Sequence, residues 1–324
     1  MVKRIEIEEF GGPEVMKLVD APEPTPAADE IVVAHDAVGL NYIDTYHRSG
    51  LYQIPLPSGI GLEGAGEVVT VGGDVASVKV GDRIAYCSGP IGAYAERHAI
   101  KADRAVKLPE GVSTDVAAAS LLKGLTVQYL IRQIYPVAAG ETVLFHAAAG
   151  GVGLIACQWL KHLGATVIGT VGSEEKAALA REAGCDHVIL YDREDIAARV
   201  NQITNGEKVP VVFDGVGAAT WEASLDSARK LGLIVSFGNA SGPVTDVNLG
   251  VLAAKGSLFA TRPTLFDYTA KREDLEAAAD DFFDVLRSGA VKPPINAEYA
   301  LADAVEAHKD LEGRKTTGST ILRP

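Results

Sequence analysis

The stretch from Phe145 to Ala165, FHAAAGGVGLIACQWLKHLGA, limits the fold more than any other part of the chain. An apolar run, TVLFH, enters a turn made almost wholly of Ala and Gly. A helical stretch follows, and ATVIGTV supplies the next apolar run after the interval of a parallel crossover. So little side chain lets backbone N–H groups approach a phosphate, and the positive end of the helix then faces it. The spacing GxGxxG falls on Ala148, Gly150 and Gly153, so alanine replaces the first glycine and Gly151 adds a further small position. In this context the pattern predicts a βαβ unit that binds a dinucleotide; a helix–strand packing turn without a ligand is the alternative the same residues leave open.

The end of the second strand separates the two nicotinamide dinucleotides. An NAD site places Asp or Glu there for the ribose 2′-hydroxyl, whereas a 2′-phosphate needs neutral donors and a cation. Here the strand ends TVGSEEK. Val171, Gly172 and Ser173 stand where the acid would be, Lys176 follows one turn into the helix, and Tyr191 with Arg193 closes the next strand. These residues predict NADPH. Glu174 and Glu175 adjoin the site; on a first helical turn they complement the helix dipole and are expected to face water.

The chain length of 324 residues suggests two domains, and the sequence has two textures. The front part carries short β-like runs broken by Gly and Pro, among them IVVAHDAVGL, GAGEVVTVG and AYAERHAI. From Val116 onward apolar strands, glycine turns and amphipathic helices alternate, which predicts a parallel sheet flanked by helices. After Thr261 come a long helix, REDLEAAADDFFDVLRSG, a short one around LADAVEAHKDLEG, and a final strand, GSTILRP, expected to rejoin the front domain. The opening MVKRIEIEEF alternates charged and apolar residues as an edge strand would, and it lacks the apolar core of a signal peptide. The longest apolar runs fall short of a membrane span, so a cytosolic protein is expected. A formal charge of -13 disfavours nucleic acid as a partner. Cys87, Cys157 and Cys185 are far apart in sequence without CxxC pairing, which argues against a disulfide framework or a cysteine zinc site and predicts buried thiols. His35, His47, His98, His146 and His187 show no metal-ligand spacing.

With these features, VGLNYIDTYHRSGLY, PSGIGLEGAGEVVTVG, KVGDRIAY, LLKGLTVQYL, GTVGSEEK, VVFDGVG and VSFGNASG make nearly the whole chain resemble the medium-chain dehydrogenase/reductase superfamily. More narrowly it is similar to the zinc-independent quinone oxidoreductases related to zeta-crystallin. The resemblance implies an α/β fold in which a β-rich, co-chaperonin-like catalytic domain, residues 1–124 completed by 263–324, is joined to a Rossmann domain, residues 125–262. The zinc alcohol dehydrogenases of the superfamily hold a catalytic metal with a Cys in the segment matching GLNYID and a His in the one matching GLEGAG. This chain has Asn41 and Leu62 there, neither an ordinary zinc ligand. Without a Lewis acid the substrate must accept hydride unaided, as a quinone does and a conjugated enone does less fully.

Carried over to this chain, the resemblance implies Asn41, Tyr46 and Tyr52 at the nicotinamide and substrate cleft between the domains, with Tyr129 on the cofactor side. It puts Gly151 and Val152 at the pyrophosphate and Gly172, Ser173, Lys176 and Tyr191 at the 2′-phosphoadenosine. Phe237, Gly238, Asn239, Ser241, Leu265 and Arg314 complete the cofactor set. Lys123 could cap a helix or reach the cleft, and Asp44 is expected to order its segment by hydrogen bonds. The implied activity is NADPH:quinone reduction without a metal, by a homodimer. Reduction of the C=C bond of enones is the enzymatic alternative, and RNA binding or a lens-like structural role the non-enzymatic one.

Overall fold

A computed structural model describes residues 1–324. The chain divides into two compact units, one of residues 1–122, 269–287 and 293–324, the other of residues 123–268 and 288–292.

The first unit is mainly antiparallel β. Its larger sheet runs Ile295–Ala300, Ser319–Arg323, Glu30–Leu40, Glu63–Val71, Arg83–Tyr86 and Val106–Lys107, with Arg97–Lys101 also on Glu30–Leu40. The last strand lies antiparallel to the long one, Thr320 opposite Leu40, so the end of the chain completes this sheet. Ile31, Val33, Val68, Ile84, Ile100 and Leu322 are among the side chains buried in its core. The opening strand, Val2–Ile7, corrects one expectation: it is the middle strand of a small sheet, between Lys17–Ala21 and Ser58–Gly59. Its alternation arises because Ile5 and Ile7 enter the core while Glu6 between them does not, a pattern that one solvated face produces at a sheet centre as well as at an edge. The helix Arg272–Arg287 buries Leu275, Ala278, Ala279, Phe282 and Phe283 at helical spacing.

The second unit is a six-stranded parallel sheet, in spatial order His187–Leu190, Thr166–Val171, Thr142–Phe145, Val209–Asp214, Ala228–Ser236 and Phe259–Thr261. Counted along the chain, the third, second and first strands are followed by the fourth, fifth and sixth. The order therefore reverses beside Thr142–Phe145, the switch point where doubly wound sheets bind ligands. Val209–Asp214 is buried at every residue, as a strand covered on both faces must be. Leu144, Ile168, Ile189, Val212 and Ile234 share one core with Leu225 and Val200 from the helices. No helix is long and apolar enough to cross a membrane.

Candidate active site

The glycine turn sits at the switch point. His146 N donates to Phe213 O at 3.0 Å and Ala148 N to Thr170 O at 3.0 Å, which ties the turn to both neighbouring strands. Positive φ falls on Ala147, at 54°, while Gly151 has helical backbone as the first residue of Gly151–His162. The two glycines therefore differ in kind. A Cβ on Gly153 would collide with the backbone carbonyls of Ala147 and Ala148, so Gly153 is required by packing. Gly150, Gly151 and Val152 are half-buried, open to a ligand at the helix start. Beneath the turn, His146 is buried between Thr170 Oγ1 and Ser224 Oγ, each at 3.0 Å, and Ser224 donates to Asp214 at 2.6 Å. Burial lowers the His146 pKa, and Asp214 partly opposes that shift.

At the end of Thr166–Val171, a Cβ on Gly172 would strike the Tyr191 phenol, so these two residues meet. Ser173 caps the helix Glu174–Glu182, its Oγ accepting from Lys176 N at 3.3 Å. Glu174 and Glu175 are exposed, and Arg193 pairs with Glu174 at 3.4 Å. This corner holds hydroxyls and a lysine without a buried acid, which fits a 2′-phosphate. Farther along, Phe237 packs on Phe145 with centroids 5.8 Å apart, and a Cβ on Gly238 would meet the Gly215 backbone. Asn239 is buried, and Ser241 braces the 216–219 loop by donating to Val216 O and accepting from Ala219 N. Tyr129 is buried and stacks on Tyr268 at 4.7 Å, and burial raises its pKa; Leu265 opens the short helix carrying Tyr268. Lys123 lies buried within the helix Thr114–Gln128.

In the first unit, Asn41 begins the helix Tyr42–Ser49 and is buried. Its Nδ2 donates to Glu63 Oε2 at 2.7 Å, and Glu63 Oε1 accepts from Leu122 N at 2.6 Å. Tyr46 is buried against Tyr42 at 5.8 Å and Tyr52 at 5.3 Å, while Tyr52 remains 36% exposed. Behind this helix runs a chain of oriented hydrogen bonds. Arg48 pairs with Glu312 at 2.8 Å and donates to His308 Nδ1 at 3.0 Å; His308 Nε2 meets the Tyr94 hydroxyl at 3.1 Å, and Tyr94 donates to Asp44 Oδ2 at 2.9 Å. Since arginine only donates, His308 must be neutral with its proton on Nε2. Burial, followed by the Arg48 charge, pushes its pKa down to about 3. Asp44 also accepts from Asn41 N at 2.9 Å. Sequence reasoning missed Glu63, Arg48, Tyr94 and His308. Arg314 is exposed after the helix Ala304–Glu312, with φ 57°.

No three His, Cys, Asp or Glu side chains are grouped to hold a metal ion. With Leu62 in place of the histidine and the Asn41 amide donating to Glu63, the residues present do not fit a catalytic zinc. They do fit a dinucleotide, through an open helix start at the sheet's switch point and a second-strand corner lined by Gly172, Ser173 and Tyr191.

Such a β-rich unit joined to a parallel sheet with a glycine turn defines a medium-chain dehydrogenase/reductase. Family models agree: one described as the alcohol dehydrogenase GroES-like domain matches residues 27–110, and one described as zinc-binding dehydrogenase matches residues 151–282. Within that class the chain belongs to the quinone oxidoreductases. It is 55% identical over 325 residues to the quinone oxidoreductase of Pseudomonas aeruginosa, with 100% of each chain covered. The solved structure of Escherichia coli quinone oxidoreductase complexed with NADPH superposes with a TM-score of 0.98 at 52% identity, covering 99% of this chain and 100% of that one. A 2-haloacrylate reductase of Burkholderia sp is 39% identical, with 100% of this chain and 99% of the relative covered.

Proposed function

We propose that the protein transfers hydride from NADPH to a quinone without a metal, the quinone lying against Asn41, Tyr46 and Tyr52. The observation that carries the metal-free chemistry is the Asn41 amide, held by the buried Glu63 carboxylate where the zinc enzymes keep a thiolate ligand. A substrate there must delocalise the incoming charge itself, and a quinone ring does so. NADPH, when bound, supplies the hydride. The N–H groups at Gly151 and Val152 hold its pyrophosphate, and Gly172, Ser173, Lys176 and Tyr191 hold the 2′-phosphoadenosine. Tyr129, Phe237, Gly238, Asn239, Ser241, Leu265 and Arg314 complete the cofactor site. The Tyr42, Tyr46 and Tyr52 rings form an aromatic wall suited to a flat ring, and a tyrosine hydroxyl or water protonates the reduced oxygen. Catalysis then rests mainly on placement, with no strong general acid required.

The test is NADPH oxidation against a benzoquinone, an enone and a simple aldehyde, with and without a strong chelator. Quinone turnover that survives chelation is expected; loss of activity together with one bound zinc per chain would refute the metal-free reading. The 2-haloacrylate reductase relative supports a second reading, reduction of an activated C=C bond, which faster turnover of the enone would favour. We also read the protein as a cytoplasmic homodimer. Supporting the dimer, Phe259–Thr261 is the outermost strand of its sheet, Phe259 is 62% exposed, and Leu231 and Leu249 are exposed too. A concentration-dependent mass in solution tests it.

A further inference from the structure

We infer that Cys157 and Cys185 form a redox-active dithiol that, when oxidised to a disulfide, distorts the turn assigned to the NADPH pyrophosphate. Their sulfurs lie 3.1 Å apart, although 28 residues separate them in sequence. Cys157 projects from the helix Gly151–His162, and Cys185 precedes the strand His187–Leu190. Both are buried, Cys157 completely and Cys185 at 6% exposure. The pair sits directly under the turn. Cys157 Sγ is 3.9 Å from Ala148 O, and a Cβ on Gly169 would lie 2.7 Å from both Ala148 Cβ and Cys185 Sγ. The missing side chain at Gly169 is what lets the Cys185 sulfur approach the turn.

The oxidant is a hydroperoxide. It oxidises the Cys185 thiol, the more reachable of the two, to a sulfenic acid, and the corresponding alcohol or water leaves. The Cys157 sulfur then attacks the sulfenyl sulfur, the S–O bond breaks, and the departing hydroxide takes the Cys157 proton to leave as water. The hydrogen bond to Cys185, and then burial, raise the Cys157 pKa, so Cys157 is the poorer thiol to meet the peroxide first. Closure to about 2.05 Å draws the sulfurs together by roughly 1 Å, and the helix start and Ala148 must follow because the packing leaves no slack.

The effect on NADPH rests on the reading of this turn as the pyrophosphate site, so the covalent link and its consequence are measured separately. The reduced protein is treated with hydrogen peroxide under native conditions, unfolded in an alkylating agent and mapped by mass spectrometry. Expected are a Cys157–Cys185 linked peptide, one alkylated thiol at Cys87, and reversal by dithiothreitol. Three alkylated thiols, or Cys185 over-oxidised without a link, would overturn the inference. NADPH titration of the linked protein should give at least tenfold weaker binding, restored on reduction, while Cys157→Ser and Cys185→Ala each bind normally and ignore peroxide. A linked protein that binds NADPH like the reduced one would refute the coupling and leave the dithiol standing.

Discussion

The turn from His146 to Gly153 and the segment from Asn41 to Tyr52 both carry residues assigned to the active site, yet they are held in opposite ways. The turn is shaped by backbone: two ladder-like bonds, at His146 and Ala148, and a glycine whose Cβ would strike carbonyl groups. The segment is shaped by side chains that come from elsewhere, Glu63 on Asn41, Tyr94 on Asp44, and His308 with Glu312 on Arg48. A backbone-made site tolerates any change that leaves its small residues alone. A side-chain-made site depends on every member of a buried network, because removing one leaves another without its partner in a medium that punishes it.

Acid should expose this dependence most strongly. His308 is held down to about 3 and His35 to about 4, chiefly by burial, so both stay neutral in the folded protein while the unfolded chain protonates them below about 6.5. The unfolded state then binds more protons, and stability, complete above 6.5, falls as the pH drops from there toward 4 and 3. Between pH 7 and 5 the loss is about 2 kcal/mol per histidine, about 4 kcal/mol for the pair. Melting curves at the two pH values check this, and His308→Gln should shrink the difference by about 2 kcal/mol; an unchanged difference would remove His308 from the account.

Glu63→Ala comes next. It takes the acceptor from both Asn41 Nδ2 and Leu122 N, and the relief of burying one charge less offsets only part of that, leaving a loss of about 3 kcal/mol. Denaturant titration measures it, and a shift below about 1 kcal/mol would mean that water replaces the carboxylate.

Outside the turn, at the corner that ends Thr166–Val171, Lys176→Ala should weaken NADPH by roughly ten- to a hundredfold, ~1.5 to 3 kcal/mol, through loss of a side chain, and leave NADH almost unchanged. Equal loss for both cofactors would refute the phosphate assignment.

The two turn glycines sharpen the contrast within one turn. Gly153→Ala should cost about 2 kcal/mol of stability before any ligand is added, since its Cβ meets fixed carbonyls. Gly151→Val should weaken NADPH at least tenfold, about 1.4 kcal/mol, with a smaller change in the ligand-free melting temperature. Its effect must come from bulk at the phosphate and not from backbone strain, because Gly151 is helical. A Gly151→Val protein that unfolds easily yet binds normally would make the turn a packing device after all.

What the sequence determined by itself is whatever short-range rules control. The strand, glycine turn and helix from Thr142 to His162, the continuous apolar strands, and the capping position of Ser173 are each set within a few residues by steric freedom, period and local hydrogen bonding. The reversal of strand order beside Thr142–Phe145 was legible as a class of fold, through the alternation of strands and helices. Tertiary structure decided the partners. Arg48 and Glu312 stand 264 residues apart, Asn41 and Glu63 stand 22 apart, and no local pattern encodes such pairings. It also made Val2–Ile7 a central strand, buried Lys123 in its helix, and brought together two of three cysteines that looked isolated. The physical reason is the same in each case: burial makes a polar or reactive group depend on whatever the fold places within about 3 Å of it, and chain separation says nothing about that neighbour.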